Sequence, residues 1–180
     1  RLILPDKVKN WVSAQFLNVS NKRVDTVSVV QPDGQVMLVK RENKAATKFV
    51  IQSLPPNRKI EYQSDVDNMA DGLDKLDLED VRQKGEIDFV ENKTIITNYR
   101  MFDGLIMNIE VFEDKNSKFW GRFKASTEEG ARDEIKKEAE QINYKVSNWA
   151  YELPAHKFRY MSRKLEDVLE QPKKSDENKK

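Results

Sequence analysis

Two Asp-Gly pairs, Asp33-Gly34 and Asp103-Gly104, stand 70 residues apart (33 to 103), and each interrupts a run of β-branched and aliphatic residues. A tight chain reversal needs positive φ, which Gly adopts without a steric penalty, so each pair marks a hairpin. In "RVDTVSVVQPDGQVMLVKRENKAATKFVIQS" the turn at Pro32-Asp33-Gly34 predicts strands near 24–30, 35–41 and 48–53. In "MFDGLIMNIEVFEDKNSKFWGRFKAS" the second turn follows a strand over 94–102 and precedes one in which Leu105, Met107, Ile109 and Val111 alternate with Ile106, Asn108 and Glu110. A period of two puts the first four on one sheet face. "EDKNS" then turns the chain into a third strand through Phe119, Phe123 and Ala125. Asp103 is accordingly read as a turn residue and not as a catalytic carboxylate.

A helical pattern follows each set of strands. Val66, Met69, Ala70, Leu73 and Leu76 recur at helical spacing behind Ser64, which is placed to cap. Ala131, Ile135, Ala139, Ile142 and Val146 form the clearest stripe in the chain, with Ser126 and Glu129 at capping-box spacing before it. Asp133–Lys137 and Lys136–Glu140 are spaced as i,i+4 pairs on its outer faces. Asn148 is expected in the left-handed conformation that closes a helix. Trp149, Tyr151 and Leu153 alternate as a strand stopped by Pro154, and Ser162 caps a last helix carrying Leu165, Val168 and Leu169. "DLEDVRQKGEIDFVENK", residues 77–93, reads as a linker with scattered apolar anchors. Trp11, Phe16 and Leu17 suggest a short helix or loop.

Both halves thus read strand, strand, strand, helix. The same offset brings Met37 to Met107, Lys48 to Lys118 and Phe49 to Phe119, with Val36/Ile106, Val39/Ile109 and Thr47/Ser117 as similar pairs. The expectation is an α+β chain of antiparallel hairpins and meanders packed on helices, with a duplicated β-β-β-α unit. Its parts are a first unit with an N-terminal segment (1–90), a second followed by a strand and a C-terminal helix (91–170), and a polar, disordered tail (171–180).

Composition narrows the function. Lys and Arg total 32 against 31 Asp and Glu, for a net charge of +1, which lacks the basic excess of a nucleic-acid binder. Cys is absent, removing disulfides and thiolate metal sites, and His156 is the only histidine, removing multi-histidine metal sites. His156 reads as a surface or packing residue, with a hydrolase built on it a distant third hypothesis. Glu110, Glu113 and Asp114 fall in no acid/base or metal spacing. No apolar run reaches the roughly 18–20 residues of a membrane span. The start at Arg1, without Met or signal pattern, is taken as internal to a longer protein. No catalytic, cofactor or metal residues are expected. Trp120, Trp149 and Tyr151 are the candidate interaction surface, an aromatic platform for a polysaccharide or peptide, set against plain packing of a strand on the long helix.

"FDGLIMNIEVFEDKNSKFWGRFKAS", a charged helix, and "NWAYELPAHKFRYMSRKLEDVL" together resemble the C-terminal half of the domain of unknown function 4340 family. Members carry a "tfDGL" hairpin, a Trp on the next strand, a "GWaY-lP-yk" segment and a closing "l-kr-eDLL". The earlier "RVDTVSVVQPDG", "FVIQSLPPN" and "VDNMADGLDKLDLEDV" are similar too, so the resemblance spans roughly residues 8–169; Asn148 departs from the family's Gly. It implies a bacterial protein held in the inner membrane by one N-terminal helix, absent from this chain, with the domain outside the cytoplasm. Such proteins are often encoded beside ABC transporter components similar to those of gliding motility. Membrane transporter subunits are therefore the expected partners, and the resemblance carries no catalytic residues, cofactor or metal with it. The expected function is a non-enzymatic extracytoplasmic accessory module of such a transporter, which presents sheet edges and aromatic surface to a protein partner.

Overall fold

Alternating apolar residues commit most of the chain to strands, and each strand buries one face. The structure, a computed structural model, describes residues 15–52 and 54–171. In chain order these form β1 (Gln15–Leu17), β2 (Val24–Val30), β3 (Val36–Arg41), β4 (Phe49–Ile51), α1 (Gln63–Asp67), β5 (Leu76–Asp77), β6 (Asp80–Gln83), β7 (Ile95–Met101), β8 (Leu105–Glu113), β9 (Phe119–Thr127), α2 (Asp133–Val146), β10 (Trp149–Glu152) and α3 (Ala155–Ser162). Eight strands make one antiparallel sheet in the order β4-β3-β2-β7-β8-β9-β10-β6, and β1 pairs with β5 apart from it. The fold is α+β.

Two meanders, β2-β3-β4 and β7-β8-β9, meet at the centre of the sheet through β2 and β7. Val27 faces Val39 across the first hairpin, and Thr97 faces Ile109 across the second, 70 residues further in both strands (27 to 97, 39 to 109). At the β2/β7 junction Ser28 faces Asn98, flanked by Val27↔Tyr99 and Val29↔Thr97. A half-turn about an axis through the Ser28/Asn98 pair therefore exchanges the pairings of one meander's first hairpin with those of the other. The third strands depart from this: Val39 faces Ile51, while Ile109 faces Phe123, two residues beyond the corresponding Gly121. An even shift leaves every side chain on its face.

Both turns use Asp-Gly alike. Gly34 and Gly104 have φ of 85° and 90°. Their N–H groups donate to the carbonyls of Gln31 (2.9 Å) and Met101 (3.0 Å). The Asp33 and Asp103 carboxylates accept from the amides of Gln35 (3.0 Å) and Leu105 (3.3 Å).

One sheet face holds the core. Val27, Val29, Val39, Tyr99, Met107, Ile109 and Phe123 form one cluster there with Val66, Met69, Ala70 and Leu73, with Ile135, Ala139, Ile142 and Val146 of α2, and with Met161 of α3. At roughly 25 cal/mol per Å² of apolar area removed from water, this layer is the main stabilising term. Asp133 and Glu134 sit in the first turn of α2, where the helix dipole favours negative charge.

Several local expectations are corrected. Ser126 makes no capping box, because β9 continues through Thr127 and Ser126 is held opposite Ile106; the N-cap of α2 is Arg132. Lys136 reaches Asp133 at 3.1 Å, one turn back, in place of the i,i+4 pairs. Asn148 is not left-handed: among described residues only Lys75 and Ser117 are non-glycines at positive φ. The chain passes from Ser147 directly into β10, and the Asn148 carbonyl joins the ladder by accepting from Lys84 (3.0 Å). Tyr62, and not Ser64, precedes α1, which after five residues tightens into a 3₁₀ turn over Asn68–Gly72. There Gly72 lies against the Tyr99 ring, and the Lys157 ammonium takes the Asp71 (2.6 Å) and Asp74 carbonyls, ending the helix before Leu76 enters β5. Ser162 ends α3 and caps nothing. Pro154 starts that helix, its carbonyl accepting from Lys157 (2.9 Å) and Phe158 (3.1 Å). Leu165–Val168 is a 3₁₀ turn. Residues 77–93 are not a linker, since β6 forms a sheet edge. Phe16 and Leu17 belong to β1, whereas Trp11 and residues 172–180 lie outside the described residues.

Candidate interaction surface

The three aromatic candidates occupy different environments. Trp120 is 3% exposed, with its indole N–H donating to Asp114 (3.1 Å) inside the β8–β9 hairpin. Tyr151 is 5% exposed, stacked on Phe16 at 4.2 Å, edge-on to Phe123 at 5.9 Å, and its hydroxyl donates to the Lys145 carbonyl. Burial pushes that phenol up to about 12. The two rings also point to opposite faces, because Trp120 and Tyr151 are one residue apart in the β9/β10 register. Neither offers a free ring face, so they form no common platform with Trp149.

Trp149 alone is half-exposed, at 39%. With Gln83, Lys84, Gly85 and Asn148 it lines an open cleft of about 450 Å³.

Side chains occupy outward amides on both sheet edges. In β4 the Phe49 N–H donates to Asp67 (2.8 Å) and the Phe49 carbonyl accepts from Gln63 (2.8 Å). In β6 the Val81 N–H donates to Asp80 (2.8 Å) and the Gln83 N–H to Glu86 (3.1 Å). These amides are the ones an added strand would need, and occupying them disfavours strand addition.

The sheet face opposite the core is different. Phe112, Trp120 and Ala150 are buried outside the main core cluster, under residues 84–94, which must cross β10, β9 and β8 to connect edge strand β6 with central β7. Phe89 on that crossing lies 5.7 Å from Phe112, and Arg122 covers its ring at 4.0 Å. Over β4, β3, β2 and β7 no described element lies on this face. Val36, Val50 and Ile96 stand 51%, 56% and 38% exposed there. Register places the residues in rows across the strands. One row runs Val36, Val30, Ile96, Glu110, Arg122; the next Leu38, Ser28, Asn98, Asn108, Lys124; the third Val50, Lys40, Thr26, Arg100, Ile106, Ser126. Asn108 donates to Asn98 (2.7 Å), and Glu110 pairs with Arg122.

Titratable groups elsewhere serve the frame. Arg23 bonds Asp103 (2.8 Å) and, in bidentate fashion, Glu138 (2.7 and 2.9 Å), joining the second turn to α2. Partial burial raises the Asp103 carboxyl, but the Arg23 guanidinium and the Leu105 amide outweigh it and hold it below the usual carboxylate range. Burial depresses the Lys157 ammonium. His156 is exposed on the first turn of α3, edge-on to Tyr160. Among the described residues no group of three His, Cys, Asp or Glu is arranged to hold a metal, and no helix is long and apolar enough to cross a membrane.

No family model matches this chain, and neither a curated protein nor a solved structure matches it.

Proposed function

We propose that the chain is a non-enzymatic interaction module, acting outside the cytoplasm as an accessory or assembly subunit of an ABC-type membrane transporter. The uncovered face over β4-β3-β2-β7 carries this reading, because exposed Val36, Val50 and Ile96 share one side of a sheet whose edge amides are partly taken by side chains. The transporter, the inner-membrane anchor and the extracytoplasmic location come from the motif resemblance alone. We also take the two meanders as copies of one β-β-β-α unit, supported by the common hairpin register and turn chemistry. The test is a pull-down of the tagged, full-length protein from native membranes in mild detergent. Transporter subunits at near-stoichiometric amounts are expected; their absence under several detergents would remove the proposal.

A second reading has an observation of its own, the Trp149 cleft. An indole face flanked by the amides of Gln83 and Asn148 suits a polysaccharide or an extended peptide. Glycan and peptide arrays test it: binding lost in Trp149→Ala supports it, and binding unchanged by that substitution rejects it.

A further inference from the structure

We infer that the uncovered half of the open sheet face docks an acidic, amphipathic helical segment of a partner protein, laid across β3, β2 and β7; this rests on the interaction-module reading above. Charge selects the sign of the partner. The charged row residues on the uncovered strands β2, β3, β4 and β7 are Lys40 and Arg100, in a chain whose net charge is only +1; on the neighbouring β8 and β9, Arg122 and Lys124 stand against Glu110. Glu110 is taken by Arg122, and Arg100 has a loose neighbour in Glu128 at 3.7 Å. Lys40 and Lys124 have no ion-pair partner among the described residues.

The rows select the shape. Val36, Val30 and Ile96 form an apolar line perpendicular to the strands, and Lys40 and Arg100 lie on a parallel line four residues away, with Leu38, Ser28 and Asn98 between. Residues rise ~3.4 Å along a strand, so the two lines stand ~14 Å apart, and a helix ~10 Å across lying over the row between them sets one flank on the apolar line and the other over the basic row. A partner strand is disfavoured at the edges by the Asp67, Asp80 and Glu86 caps. A helix on this face would repeat what α2 does on the other. A second copy of the chain would set one basic face against another, and like charges across an interface repel. Nucleic acid would stack on exposed aromatic rings, and these rows contain none. Short Val and Ile side chains on flat strands reach too little depth to insert into lipid.

A photo-crosslinking residue placed at Val36 or at Ile96 of the full-length protein in its native membranes, with controls at Tyr144 and Trp149, tests this. The expected product joins positions 36 and 96 to one protein segment with alternating acidic and apolar residues at helical spacing. Its yield should fall about tenfold in Lys40→Glu/Arg100→Glu, whose fold is checked by thermal melting, and stay within about twofold in Trp149→Ala. Crosslinks from positions 36 and 96 to lipid, to nucleic acid or to a second copy would overturn the inference, as would a yield indifferent to charge reversal. Protein crosslinks from the control positions only would overturn it and leave the interaction module standing. No protein crosslink from any position would remove both.

Discussion

The meanders β2-β3-β4 and β7-β8-β9 share hairpin register and turn chemistry, yet only the second is covered on both faces. It carries the full length of α2 on its core side and the 84–94 crossing on the other, and β8 and β9 run nine residues each. The first has a five-residue helix that tightens to 3₁₀, a three-residue third strand and one face that no described element covers. The cause is topological. Because β6 sits beyond β10, the chain can regain the centre of the sheet only by crossing β10, β9 and β8. The first meander lies on the far side of β7 and receives no such cover. Coverage, more than strand pattern, separates a structural surface from one available to a partner.

The sharpest way to break this comparison is at positions 50 and 120, which the common offset equates. Trp120 is buried beneath the crossing while Val50 is open. Trp120→Ala should cost about 4 kcal/mol in denaturant unfolding, whereas Val50→Ala stays within about 0.5 kcal/mol. Similar losses at both would mean that the first meander is covered after all.

Next in size is Gly72, which the 70-residue offset sets against Ile142 of α2. A Cβ at position 72 would fall 2.1 Å from the Tyr99 hydroxyl, itself fixed by the Met69 carbonyl at 3.0 Å. Gly72→Ala should cost about 3 kcal/mol by overpacking. Adding Tyr99→Phe removes the clashing oxygen and should recover part of the loss, even though Tyr99→Phe alone costs about 1 kcal/mol. No recovery in the double variant would place the strain elsewhere.

The strands of the two meanders, β10, the Asp-Gly turns and the long helix are legible in sequence, because alternation and turn chemistry are local; the short strands β1, β5 and β6 are not. Nor are helix ends. Ser126 looked like a cap but was claimed by Ile106 across the sheet, and Asn148 looked like a terminator but was claimed by β6. The same lack of register hid the candidate surface. Val36, Val30 and Ile96 come from three strands, and only the β2/β3 and β2/β7 pairings bring them into line. Trp120 and Tyr151 drew attention as large aromatics, yet ring size does not distinguish a buried anchor from a platform. The crossing at 84–94 carries one faint signal, Phe89 and Val90 amid charge, which does not distinguish it from a linker.

A smaller effect compares the turns themselves. A Cβ at Gly34 meets nothing within 4 Å, so Gly34→Ala should cost about 1 kcal/mol for holding Ala at positive φ. At Gly104 the same strain is joined by a Cβ contact of 3.3 Å to Ala131, just ahead of α2. Gly104→Ala should therefore lose about 2 kcal/mol. Equal losses would show that the second turn is not pressed against the segment leading into α2.

The smallest expected effect is electrostatic and belongs to the second turn. Asp103 is held below its ordinary carboxylate range, so the unfolded chain takes up its proton first as pH falls. Its contribution is thus fully present above the unfolded carboxylate value near 4 and is lost as pH falls through the lower, folded value. Arg23→Ala should cost about 1 kcal/mol at neutral pH, because the guanidinium and its two carboxylates are partly solvated. Asp103→Asn should flatten the stability profile between pH 5 and 3 while keeping the turn, since an Asn side-chain oxygen can still accept from the Leu105 amide. Stability measured by urea unfolding across that range decides it. A profile equally steep in Asp103→Asn would assign the acid loss to other carboxylates, of which Asp114 is a candidate: burial raises it, but the Lys118 and Asn116 amides and the Trp120 indole together outweigh that and hold it low too.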